Sequence, residues 1–125
     1  MSESLPHVTV LTADHGPVTF PEPNWCLGVH PDGGARADIH HQGAEQPGTF
    51  TVERYGRLEF LTAFLSQYPY AEIGSRRVTV AVDINGDHVE FNSGDLGDLA
   101  ASLTAHALYT LLPLRARLQA LEGDE

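Results

Sequence analysis

The sequence predicts an α+β fold: a small antiparallel sheet of about four or five strands with a C-terminal helix packed on one face. Three observations carry that reading. Short β-rich stretches, several alternating between apolar and polar residues, fill the first two thirds of the chain. An Asn85-Gly86 pair separates two of them, and Leu and Ala recur at helical spacing near the end. With 125 residues, 42% of them hydrophobic and 19% charged, the chain can build one core and is too apolar for wholesale disorder. A single domain over residues 1–125 is expected.

Taken in order, His7 to Ala13 is rich in β-branched residues and reads as a strand. Asp14-His15-Gly16-Pro17 supplies turn chemistry and Val18 to Phe20 a return arm, so residues 7–20 form a strand or hairpin. Residues 21–48 sustain no period and read as a loop. Thr49 to Tyr55 alternates as a half-buried strand and Gly56 can turn the chain. Arg57 to Leu65 fits two patterns, because Leu58, Leu61 and Leu65 have helical spacing while Leu58, Phe60 and Thr62 alternate; a strand is favoured. Ser66 to Arg77, with Pro69 and Gly74, is a connection. Val78 to Ile84 is the clearest strand, and Asn85-Gly86 suits a type I′ turn into an antiparallel partner at His88 to Phe91. These strands span 49–91.

Asn92-Ser93 can cap a helix over 93–121, with Asp95 and Asp98 in its first turns, where the helix dipole favours anions. Leu96, Leu99, Leu103, Ala107 and Tyr109 or Leu111 make an apolar stripe suited to lie across the sheet. Pro113 should kink or break that helix before Leu114 to Leu121.

The formal charge of -10 arises from 17 acidic against 7 basic side chains, all of them Arg. No cluster of basic residues could track a phosphate backbone, so direct nucleic-acid binding is not expected. One Cys excludes an internal disulfide. No apolar run follows a basic N-terminal stretch, and none is long enough to span a bilayer, so a cytoplasmic setting without membrane association is expected.

The loop carries the chemistry. Glu22, Trp25, Cys26 and His30 are followed by Asp38, His40 and His41, in a stretch rich in Gly and Pro. A loop of this length inside a small domain is functional, disordered, or held by something other than an apolar core. Cys sulfur and His nitrogen four residues apart, with more imidazoles about ten residues on, is the spacing by which short segments converge on Zn²⁺. Such an ion would supply the ordering free energy itself. The plainer reading makes Cys26 a small buried hydrophobe beside Trp25 and the His residues solvated side chains.

In Trp25-Cys26, His30, Asp38-Ile39 and His41-Gln42-Gly43, and in the Leu/Ala-rich helix that follows the strands, the chain resembles a family of small actinobacterial proteins of unassigned activity. Its members carry Cys-Pro-x-Trp-Cys, a His four residues later and another His beyond. The resemblance spans about four fifths of the chain and implies a Cys₂His₂-type zinc site. Carried over residue by residue, it assigns Cys26 as the second Cys, His30 as the first His and His41 as the later His, with His40 a close competitor. The first Cys falls on Glu22. A carboxylate also ligates zinc, so the implied set is Glu22, Cys26, His30 and His41, with one thiolate fewer to hold the ion.

These features lead to a non-enzymatic accessory module that contacts a protein partner and carries a structural zinc. Two other readings are open. The same cluster could serve a zinc- or thiol-dependent enzyme using Cys26, His30 and His41, which requires an apolar pocket beside it. The acidic surface could instead mimic nucleic acid and inhibit a nucleic-acid-binding protein, which requires carboxylates in rows on one face.

Overall fold

In a computed structural model, which describes residues 5–124, the chain divides into two compact units, one running up to Phe91 and the other from Asn92 onward. The architecture is α+β: antiparallel sheets of two and five strands precede a C-terminal helix.

Strands β1 (His7–Thr12) and β2 (Gly16–Pro21) form the expected hairpin, from His7 opposite Pro21 to Thr12 opposite Gly16. Gly16 closes the turn at φ +60°, a conformation that favours glycine. Alternation turns Val10 and Phe20 inward, where they are buried with Ile39 and flanked by Val8, Val18 and Tyr70.

The larger sheet contains β3 (His41–Gln42), β4 (Gln46–Val52), β5 (Gly56–Gln67), β6 (Thr79–Ile84) and β7 (Asp87–Phe91). Ala63 pairs with Gln46 and with Val82, and Ser66 pairs with Gln42 and with Thr79. Strand β5 therefore carries β3 and β4 along one edge and β6 on the other. Asn85 and Gly86 adopt φ +54° and +87°, both positive as a type I′ turn requires, and Asp83 Oδ1 accepts the Gly86 N–H at 3.0 Å.

Between the pairs Gly48–Phe60 and Gln46–Ala63, β5 contains one residue more than β4, and Leu61 takes φ +49° to fit it in. This bulge resets the alternation of β5. It is why Leu58 and Phe60 stay partly exposed while Phe64 and Ser66 are buried, and why the segment fits two periods in sequence.

The stretch 21–48 is less irregular than expected. It contains a 3₁₀ turn at Arg36–Asp38, all of β3 and the start of β4. Its remainder is tied to the hairpin: Gly33 N–H donates to Leu11 O and Ala13 N–H to Gly34 O, both at 2.8 Å, and Asp32 and Asp14 accept the Leu11 and Arg36 N–H groups.

In the second unit, Asn92 Oδ1 accepts the Asp95 N–H at 2.8 Å and caps α1 (Ser93–His106). The helical run continues through a π turn (Ala107–Leu111) into α2 (Leu112–Gly123). Pro113 does not break it. Proline offers no N–H and crowds the carbonyl four residues back; here the turn before it widens, and Leu112 N–H bonds to Ala107 O five residues earlier. No residue of this helical run is buried. Among the described residues, no helix is long and apolar enough to cross a membrane.

Candidate metal centre

The Glu22, Cys26, His30 and His41 donor atoms all lie within 4.8 Å of one another. Each comes from a different local structure. Glu22 follows the last residue of β2, its N–H bonded to Pro6 O at 2.7 Å across the hairpin. Pro23 starts a turn in which Cys26 N–H reaches Pro23 O, and Leu27 N–H then bonds Gln42 O at 2.9 Å, tying the loop to β3. Gly28, at φ +78°, lets the chain curl so that its N–H approaches Cys26 Sγ at 3.4 Å. His41 opens β3 and is held by that strand's pairing with β5.

Side-chain exposure is 4% for His30, 3% for His41 and 10% for Glu22. A buried carboxylate has to be compensated, and Glu22 is, from both sides. His30 Nε2 lies 2.7 Å from Oε2 and His41 Nδ1 lies 2.9 Å from Oε1, so each imidazole donates an N–H to one carboxylate oxygen. Cys26 Sγ stands 3.7 Å from His30 Nε2. Phe20 meets both imidazole rings edge-on at 5.2 Å, and half-buried Trp25 meets His41 at 6.2 Å. The aromatic in the polar loop thus packs against the cluster.

Electrostatics follow from this enclosure. Burial alone would raise the Glu22 carboxyl, but hydrogen bonds from Cys26 and His30 and the nearby imidazoles outweigh it and hold it below the usual carboxylate value. Burial, with the Glu22 hydrogen bond, pushes the Cys26 thiol up. Burial also pulls His41 down, although Glu22 opposes it.

Both sulfur–nitrogen and oxygen–nitrogen spacings bear on whether a cation fits. Bonds of about 2.0–2.3 Å from a central zinc place tetrahedral donors roughly 3.3–3.6 Å apart. The Cys26–His30 separation of 3.7 Å is already near that edge. The two Glu22–imidazole contacts are shorter, being hydrogen bonds, and would have to widen by about half an ångström for an ion to replace the shared protons. One carboxylate, one thiolate and two neutral imidazoles would leave Zn²⁺ with no net charge, the state a poorly solvated pocket favours.

His40 goes elsewhere. It is the residue just before β3 and does not join His41 in the cluster. Its Nε2 lies 2.7 Å from the buried Ser66 Oγ, and its ring stacks on Tyr68 at 4.2 Å and 5°. Burial pulls its pKa down, with further repulsion from His41, His30 and His88. Ser66 and Tyr68 were not singled out by sequence reasoning. His40, His30 and Tyr68, with Leu27, Val29 and Asp38, line a cleft of about 540 Å³ that borders the cluster through His30.

Residues 7–120 match the family described as Domain of unknown function (DUF6907). The chain belongs to that family. Membership in a domain family without assigned function is what the loop residues led us to expect. The DUF6907 match takes in all four donors, both sheets and most of the helical run. No curated protein and no solved structure matches the chain.

Proposed function

We propose that this DUF6907 chain is a non-enzymatic protein-interaction module in which Glu22, Cys26, His30 and His41 bind one structural zinc ion. The observation that carries the reading is the convergence within 4.8 Å of four donors of zinc-binding type, from buried Glu22 and His41 and half-buried Cys26 and His30. A four-donor protein shell fills a tetrahedron and leaves no position for substrate, which is the mark of a structural site. The ion would join the end of β2, the loop and β3. That junction supports the exposed surface around Trp25, where Leu27 and Val29 stand 60% and 76% exposed, as the docking region for a protein partner. No nucleic-acid or membrane contact belongs to this reading.

Competition between metal-stripped protein and a chromophoric zinc chelator tests it. Cys26→Ala should bind zinc at least about a hundredfold more weakly than the unaltered chain. Equal affinities would sink the assignment.

A second reading is favoured by the cleft bordering His30: a zinc- or thiol-dependent enzyme using Cys26, His30 and His41. The upward shift of the Cys26 thiol opposes its use as a metal-free nucleophile, because the thiolate is the reactive form. Cobalt substitution separates the two readings. A closed site keeps its visible spectrum when cyanide or imidazole is added, whereas a site with an exchangeable position changes colour.

A further inference from the structure

The cleft of about 540 Å³ beside His30 is continued by a second, of about 410 Å³, and Asp38 and Tyr68 line both. The two therefore meet there and make one groove, all of it within the unit that ends at Phe91. Separate elements build it. Asp38 ends the 3₁₀ turn, Tyr68 directly follows β5, Glu72 and Ile73 belong to the connection between β5 and β6, and Glu90 lies in β7.

The groove changes character along its length. At the His30 end Val10, Leu27, Val29 and Ile39 wall it, and Leu27 and Val29 keep most of their surface in water. At the other end stand three exposed carboxylates, Asp38, Glu72 and Glu90, and no Arg lines either cleft. Arg76 sits beside them, its Nε donating to Ala71 O at 2.8 Å. Among the described residues none of the three carboxylates is in an ion pair. Anions gathered with so little counter-charge repel one another, and a cation placed among them is attracted by all three.

A compact ligand held in one cleft would leave the other open. An extended chain that presents an apolar side chain at one point and cations further along matches both ends at once, because the first loses its contact with water while the second stay hydrated at an anionic rim. The same carboxylates repel a nucleic acid or an anionic membrane. We infer that this groove binds an extended segment of a partner protein in which a large apolar residue lies a few positions from two or more Lys or Arg residues. The inference rests on the protein-interaction reading and gives the partner its chemistry.

A selection from random dodecapeptides displayed on phage, run against the immobilised full chain at about 0.15 M salt, tests it with no assumed sequence. Enriched clones should combine Leu, Ile, Phe or Trp with two or more Lys or Arg. For a synthetic copy of the leading clone, measured by fluorescence anisotropy, Asp38→Lys with Glu72→Lys should weaken binding at least about tenfold, since each reversal turns an attraction into a repulsion. Glu53→Lys, a reversal in the β4–β5 turn outside the groove, should change it less than about twofold. Circular dichroism checks that each variant is folded, and zinc content is measured on the same samples. Basic clones without an apolar residue, or equal weakening by Glu53→Lys, overturn the inference in favour of general attraction to an acidic chain. Clones enriched without basic residues overturn the groove's chemistry and leave the interaction reading standing, whereas no enrichment contradicts both. Groove-dependent binding by a chain without zinc upholds the groove and removes the metal assignment.

Discussion

Glu22 is placed where its loss is felt twice. Its carboxylate accepts from His30 and from His41 inside an enclosed pocket, so Glu22→Gln substitutes one amide donor for an acceptor and leaves an imidazole N–H unpaired. A stability loss of about 1–3 kcal/mol in denaturant unfolding of the metal-free protein is expected, together with weaker zinc binding. The imidazoles also set an acid limit. His40 and His41 both have folded-state values below 6.5, so the unfolded chain takes up protons first as pH falls. Stability should therefore be level above about pH 7 and decline as pH drops through 6.5, with the Glu22 contribution lost further down, below 4.5. Urea midpoints measured between pH 8 and pH 5 check the sign; a midpoint that rises on acidification contradicts it. At this scale Cys26, His30 and a later imidazole were legible from residue type and spacing, whereas Glu22 entered only through the family resemblance. Which of His40 and His41 turns toward the cluster was not, since that depends on the pairing of β3 with β5.

At the level of elements, the close approach of β4 and β5 leaves no room at Gly48. A Cβ there would lie 2.8 Å from the Phe60 ring and 2.9 Å from the Phe60 carbonyl oxygen. The ring can rotate away but the carbonyl is backbone, so Gly48→Ala should cost about 2–3 kcal/mol, read from the denaturation midpoint; a neutral effect would contradict the register at the bulge. Asn92→Ala removes the side-chain acceptor for Asp95 N–H and should lower the melting of the helical unit by about 1 kcal/mol. Hairpin β6–β7 was plain in the sequence because Asn85-Gly86 demands one backbone geometry. Strand β5 was not, because the extra residue at Leu61 shifts its alternation midway and mixes two periods. Nor was the order of the loop, whose hydrogen bonds run to β1 and β3 over sequence separations that local pattern does not encode.

On the scale of the whole molecule, the apolar interior is small. Only Val10, Phe20, Ile39, Phe64, Ala81 and Val82 are buried hydrophobics among the described residues. Small scaffolds with modest cores gain stability from a metal or a cross-link, and the single Cys leaves no disulfide. A structural zinc contributes folding free energy directly, on the order of 10 kcal/mol in small zinc domains. The account rests on that ion, and elemental analysis of purified protein, prepared without chelators, tests it most directly. About one zinc per chain is the expected result, and less than about a tenth of a zinc per chain contradicts it.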